Sequence, residues 1–130
     1  MRRGGMRNDL DLIREILTSV RDREDLWPRT VELPDHDPVV LARHVERLHE
    51  DGLLDGSRVD ALGGQVTDVD VRDLTTAGHQ FLAALEAQDV WTRLKTTLRP
   101  EELAALPMRK LAAIAGELVE RGARRKLGLD

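Results

Sequence analysis

The stretch that decides the fold covers residues 37–82 and reads DPVVLARHVERLHEDGLLDGSRVDALGGQVTDVDVRDLTTAGHQFL. Asp37 and Pro38 are typical of a helix start, because aspartate caps the first free N–H groups and proline fits the first helical position. Apolar residues at helical spacing follow, and Gly52 supplies the left-handed turn that commonly ends a helix. The stretch is therefore predicted to begin with a helix over residues 38–51.

Two segments of alternating polarity come next, at about residues 54–62 and 66–74. Glycines at residues 63–64 separate them and are a turn signal, so the pair is predicted to form an antiparallel hairpin. Thr75 then caps a second helix, and Gly78 near its start lets that helix lie close to a neighbouring strand. Helix, hairpin and helix in this order are typical of the second half of a winged-helix domain.

The residues before this stretch predict one helix and one strand. Apolar residues recur at helical spacing between residues 9 and 23, which indicates an amphipathic helix. Residues 26–33, LWPRTVEL, are typical of a short strand, and Pro28 restricts it to a sheet edge. We expect Trp27 to pack in the core or at that edge, since a tryptophan buries a large apolar area.

A complete helix-turn-helix has a short positioning helix before the recognition helix. The sequence leaves no room for one between Leu33 and Val39. We therefore expect the strand and loop to replace this helix, or a single turn to remain of it.

The whole chain is predicted to be α+β and mostly helical, in three parts. Residues 1–8 form a flexible N-terminal lead, and residues 9–88 form the winged-helix domain of helix, edge strand, helix, two-stranded wing and helix. Residues 89–130 form a C-terminal helical extension, in which Asp89 caps a short helix. The last helix is expected over residues 108–124, and its apolar stripe predicts a homodimer interface.

The composition is that of a mildly acidic globular protein. The 130 residues carry a net charge of −4, and none of them is cysteine. Disulfides, thiol catalysis and thiolate metal sites are therefore excluded. No apolar run approaches the roughly 18 residues that span a bilayer, and the basic N-terminus lacks the apolar region of a secretory signal. We predict a cytoplasmic protein that makes no membrane contact.

The sequence predicts no catalytic residue, no cofactor and no metal. Its serines and threonines have no base partner at a recognisable spacing, and the glycine pair lies in a hairpin rather than in a phosphate-binding loop. His44 and His49 are five residues apart, about 140° around a helix axis, so they do not share a face. Zinc needs three or four converging ligands. We therefore predict a protein that is not an enzyme.

Arginines on the helix at residues 38–51 make double-stranded DNA the first candidate partner. Arg43 and Arg47 can read guanine edges or contact phosphates. A second basic group lies at the end of the last helix and can add phosphate contacts: Arg124, Arg125 and Lys126.

The acidic residues around these arginines favour a different partner. Residues 38–52 contain two basic and three acidic side chains, and residues 55–73 contain two basic and five acidic ones. Since phosphate contacts supply most of the non-specific affinity for DNA, a wing of this sign is repelled by the duplex. The alternative is a protein–protein interaction module that binds no DNA.

Three motifs resemble one known family. Residues 6–17, MRNDLDLIREIL, resemble the opening Met-(Lys/Arg)-x-Asp-Met-Asp-Leu-Ile-Arg of a group of short bacterial and phage-encoded proteins catalogued as a domain of unknown function. Residues 44–54, HVERLHEDGLL, and residues 74–82, LTTAGHQFL, are similar to later motifs of that group. The resemblance covers about residues 6–120. It implies a winged-helix-like fold and no established activity, and with the arginines it suggests a phage- or mobile-element-type, DNA-associated regulatory module.

Overall fold

A computed structural model describes residues 8–60 and 67–129 of the chain. The predicted hairpin turn at residues 63–64, and residues 1–7 of the predicted lead, lie outside the described residues. The predicted class, mostly helical α+β, is confirmed. The elements in chain order are α1 (Leu10–Arg21), α2 (Pro38–Glu50), β1 (Leu54–Asp60), β2 (Thr67–Leu74), α3 (Thr76–Glu86), α4 (Gln88–Thr97), α5 (Pro100–Ala105) and α6 (Met108–Lys126).

Short polar side chains set the starts of the first three helices. The carboxylate of Asp9 accepts a hydrogen bond from the Leu12 N–H at 3.1 Å, and that of Asp37 accepts from the Val39 N–H at 2.8 Å. The Thr75 hydroxyl accepts from the Gly78 N–H at 3.0 Å. These bonds satisfy N–H groups that have no partner inside the helix, so the predicted caps of α2 and α3 are confirmed.

The predicted cap of the fourth helix is wrong. Ala87 occupies the N-cap position of α4, and Asp89 lies one residue inside the helix, in its first turn. The reason is that α3 ends at Glu86 and α4 begins at Gln88, so the linker holds a single residue. An aspartate inside the first turn still stabilises the helix through the helix dipole.

β1 and β2 pair antiparallel, with Leu54 opposite Leu74 and an irregularity between Asp55 and Gly56. The sheet lies close to α3, as Gly78 predicts. A Cβ added at Gly78 would stand 2.0 Å from the carbonyl oxygen of Leu53, the residue before β1. Only a residue without a side chain allows this approach.

The predicted edge strand at residues 26–33 is reduced to one bridge, between Arg29 and Val71. The guanidinium of Arg23 lies beside this bridge. It donates to the carbonyl oxygens of Arg29 and Thr30 at 3.2 and 3.3 Å and also to that of Val71, so it occupies acceptors at the end of the ladder.

The prediction that Trp27 packs in the core or at the sheet edge is wrong, because Trp27 is 74% exposed. The backbone N–H of Trp27 donates a hydrogen bond to the carboxylate of Asp25 at 3.0 Å, which places the residue in a turn. In a continuous strand Trp27 would share a face with Val31, which is buried. The turn breaks that alternation and leaves the indole in solvent.

A single core joins the predicted domain and the predicted extension. Val90 and Leu94 of α4, and Leu111 and Ala115 of α6, are buried in the same cluster as the apolar faces of α1, α2 and α3. The boundary predicted at residue 88 therefore falls at a helix junction within one continuous core.

Asn8 also belongs to this folded body, although the sequence places it in the lead. It is buried, and its amide donates to the carbonyl oxygens of Leu103 and Leu106 at 2.7 and 2.6 Å. The folded body therefore includes Asn8, which the sequence assigns to the lead.

Candidate functional site

α2 carries two of the residues predicted to contact DNA, and a buried histidine fixes its position. The Asp9 N–H donates to Nε2 of His44 at 3.1 Å, so Nδ1 must carry the proton and donate to the Val40 carbonyl at 2.9 Å. Burial lowers the pKa of His44, and the bond to Val40 opposes this effect. His44 is thus a neutral link between α2 and the start of α1.

The two arginines of α2 have different surroundings. Arg43 is exposed and has no ion-pair or hydrogen-bond partner within residues 8–60 and 67–129. Arg47 is half-buried, and its Nη1 lies 3.4 Å from the side-chain oxygen of Asn8. Arg43 is therefore free to contact a ligand, whereas Arg47 is held against the N-terminal end of the fold.

The outer face of α2 is balanced in charge rather than basic. Glu46 and Glu50 lie three and seven residues after Arg43, on the same side of the helix. Both approach the guanidinium of Arg58 on β1, with nitrogen–oxygen distances of 3.5 and 4.0 Å. Because exposed ion pairs of this kind contribute little stability, their main effect is to neutralise the surface that would face a DNA groove.

The basic residues of α6 lie at the end of that helix opposite to its contact with α2. Arg124, Arg125 and Lys126 occupy the last turn of α6, and Arg124 donates to the Leu129 carbonyl at 3.2 Å. The opposite end of α6 touches α2, because the Arg109 N–H donates to the Asp51 carboxylate at 3.1 Å. From Arg109 to Arg124 the helix rises about 22 Å. The three basic residues of α6 therefore lie near the end of the helix away from α2, and their contact with DNA stays a prediction.

The four histidines occupy four separate surroundings. His36 faces Glu15 at 3.1 Å, and His79 faces Asp73 at 3.7 Å, while His44 is buried. Nε2 of His49 lies 3.0 Å from the Gly56 carbonyl. Within the described ranges no three histidine, aspartate or glutamate side chains converge on a point where they could hold a metal ion.

An open groove of about 450 Å3 lies beside α2, and sequence reasoning did not find it. It separates residues 30–34 from β2, and α2 forms its floor. Glu32 and Asp68 lie at its rim, and both are exposed. The apolar lining comprises Val31, Leu33, Leu41, Ala42, Val45 and Val69. The sequence pattern that points to this groove is the alternation of Val31, Glu32 and Leu33. It predicts one apolar face of the segment but not the gap beside that face.

Leu26 and Trp27 form an exposed apolar pair on the other side of the Arg29–Val71 bridge. Leu26 is 63% exposed and Trp27 is 74% exposed. Large apolar side chains that meet solvent next to each other commonly mark an interaction surface.

None of the helices within residues 8–60 and 67–129 combines the length and the apolar character needed to cross a membrane.

A family model described as hypothetical protein, DUF2513, matches residues 7–103. This match confirms the predicted resemblance to a domain-of-unknown-function family, while the phage or bacterial origin stays a prediction. Neither a curated protein nor a solved structure was found to match the chain.

Proposed function

Because the chain belongs to the DUF2513 family, whose description names no activity, we propose a function from the geometry alone. The protein is a non-enzymatic module of winged-helix type that binds another protein. The order of helix, bridge, helix, hairpin and helix supports the winged-helix assignment. We further propose that it acts in the cytoplasm.

The observation that carries this proposal is the apolar surface along residues 26–34. Trp27 projects into solvent at one end of this segment, and the open groove lies along the other. Tryptophan is enriched at protein interfaces, because it supplies a large rigid contact area. Next to this surface, the outer face of α2 carries ion-paired glutamates that disfavour phosphate.

Double-stranded DNA remains a second candidate because Arg43 is exposed and unpaired among the described residues. Between the Arg29–Val71 bridge and α2 the chain makes a turn, where the backbone N–H of His36 donates to the Leu33 carbonyl at 3.1 Å. A helix-turn-helix reader of DNA has a positioning helix at this place, so the turn supports the protein-binding proposal over DNA. A DNA-associated role would depend on Arg43 together with phosphate contacts from the basic end of α6.

A homodimer through α6 is a third proposal. Most of the apolar stripe of α6 that predicts it packs against the core of the same protomer. Leu111 and Ala115 are fully buried against the core, and Leu118 is half-buried. Val119 is 42% exposed and is the member of the stripe left for a second copy. Sedimentation at micromolar concentration measures the mass in solution, and a monomeric mass would refute the homodimer.

Two measurements on the full chain distinguish protein from DNA. A display library of random peptides is selected against the chain, and we expect enriched peptides that change the fluorescence of Trp27 on binding, as measured in the Trp91→Phe variant. Fluorescence anisotropy with a mixed-sequence duplex is expected to give no salt-sensitive binding. Micromolar duplex binding that weakens steeply with salt and is lost in Arg43→Ala would overturn the proposal in favour of DNA.

A further inference from the structure

The outer edge of β2 carries backbone groups that have no strand beside them. Val71 and Arg29 exchange two backbone hydrogen bonds at 2.8 and 3.1 Å, so the N–H and C=O of Val71 point away from β1. These groups alternate between the two edges along a strand, so those of Val69 point to the same outer edge. Within the described ranges Val69 has no backbone partner there, although it is only 3% exposed. Buried backbone groups are nearly always paired in proteins.

The groove begins at this unpaired edge. After the bridge at Arg29, residues 30–34 make no further backbone hydrogen bond to β2 within the described ranges, and together with Asp68 and Val69 they line a gap of about 450 Å3. The gap lies where a strand next to β2 would run, and its floor is formed by Leu41, Ala42 and Val45 of α2. Its volume is within the range of about 300–1,000 Å3 that ligand sites commonly have.

The two faces of the gap differ in chemistry. On the inner face, Val31 and Val69 are buried with the apolar side chains of α2. On the outer face, Glu32 and Asp68 are exposed, Asp70 is half-buried, and none of the three has an ion-pair partner among residues 8–60 and 67–129. A strand inserted here would direct alternate side chains toward these two faces.

We propose that this groove binds an extended peptide in which apolar and basic residues alternate, and that the peptide adds to β2 as a new strand. The backbone of Val69 supplies main-chain hydrogen bonds, as in other cases where a peptide extends a sheet. Apolar side chains of the peptide contact Leu41 and Val45, and its lysines or arginines face Glu32, Asp68 and Asp70. The inference rests on the proposed protein-binding function and names its site and the chemistry of its partner.

The first test uses a labelled seven-residue peptide that alternates valine with lysine, titrated into the full chain. One control peptide has the same composition with valines and lysines in separate blocks, and another replaces lysine by glutamate. The alternating peptide is expected to bind at least tenfold more tightly than either control, and higher salt is expected to weaken it. Amide exchange at Val69 is expected to slow in the complex. Equal binding of the block peptide would overturn the proposal.

The second test uses variants of the groove. Ala42→Phe fills the floor, and Asp68→Lys reverses the charge at the exposed rim, where the substitution does not disturb the core. Each is expected to weaken the alternating peptide at least tenfold, while Glu120→Lys on the exposed side of α6 leaves its affinity unchanged. Circular dichroism verifies that each variant is folded. If Ala42→Phe does not fold, the peptide affinity of Asp68→Lys alone tests the groove. Unchanged binding to Asp68→Lys would overturn the site.

The library-selected peptides separate failure of the site from failure of the function. Selected peptides that bind Ala42→Phe and Asp68→Lys as tightly as the natural chain would overturn the groove and leave a protein-binding function in place. If the library yields no binder and the alternating peptide does not bind, both proposals fail.

Discussion

Replacing Gly78 by alanine tests the close approach of α3 to the sheet. The added Cβ would stand 2.0 Å from the Leu53 carbonyl oxygen, where ordinary contact begins at 3.4 Å, so the two must separate by about 1.4 Å. The same carbonyl accepts the Thr75 N–H at 3.3 Å, and the shift disturbs this bond. Such overpacking costs about 1–3 kcal/mol, and a lost hydrogen bond costs about 1 kcal/mol more.

The helix gains back part of this loss, because alanine is favoured over glycine in a helix by up to about 1 kcal/mol. We therefore expect Gly78→Ala to lower the free energy of unfolding by about 2 kcal/mol. Gly116→Ala is the matched control, since Gly116 is an exposed residue of α6 with nothing within 4 Å of an added Cβ. It should raise the free energy of unfolding by about 0.5–1 kcal/mol.

Urea unfolding followed by circular dichroism measures both variants, and thermal melts should show changes of roughly 3–6 °C per kcal/mol for a chain of this size. The two variants are expected to move in opposite directions from the natural chain. If Gly78→Ala is stabilised as Gly116→Ala is, helix propensity outweighs the contact and the reasoning about the close approach is wrong.

Three further predictions concern polar and aromatic residues. Burial lowers the pKa of His44 from its ordinary value of 6.5, so below pH 6.5 the unfolded chain binds more protons than the folded chain. The contribution of His44 to the free energy of unfolding should therefore be constant above pH 6.5 and should fall as the pH drops below 6.5. Urea midpoints from pH 8 to 5 measure this, and His44→Leu should lose the dependence that His79→Gln keeps. Asn8→Ala leaves the Leu106 carbonyl oxygen without its donor and removes one of the two donors to the Leu103 carbonyl; it should cost about 1–3 kcal/mol, with faster amide exchange in α5 as the specific sign. In the Trp91→Phe variant the emission should come from Trp27 alone and be quenched by acrylamide to the same degree before and after unfolding; strong protection in the folded chain would contradict its exposure.

Local signals in the sequence were sufficient for most of the fold. Asp37, Pro38 and Thr75 act on N–H groups two or three residues away, so their effect can be predicted from short stretches of sequence. The role of Gly78 could be inferred in the same way, because a close approach to another segment is the main reason for a glycine near the start of a helix. These residues predicted the order of helix, hairpin and helix.

Features that depend on distant residues could not be predicted. The role of His44 depends on Asp9, which is 35 residues earlier in the chain, and the setting of Arg47 depends on Asn8. The exposure of Trp27 depends on whether its segment continues as a strand, and among the described residues this segment makes one bridge to β2, at Arg29. The groove exists for the same reason, because the segment leaves β2 after a single bridge.

The burial of α6 in the core also has a consequence during synthesis. The family match ends at residue 103, whereas Met108, Leu111 and Ala115 complete the core against α3. A chain leaves the ribosome at about 5–20 residues per second, so the part of α3 that packs against α6 stays uncovered until α6 has emerged. Folding can finish only after that point, and the nascent chain offers a hydrophobic surface to chaperones in the meantime. A ribosome-bound chain that stops at residue 106 should therefore be cleaved readily by protease, and one that includes α6 should resist.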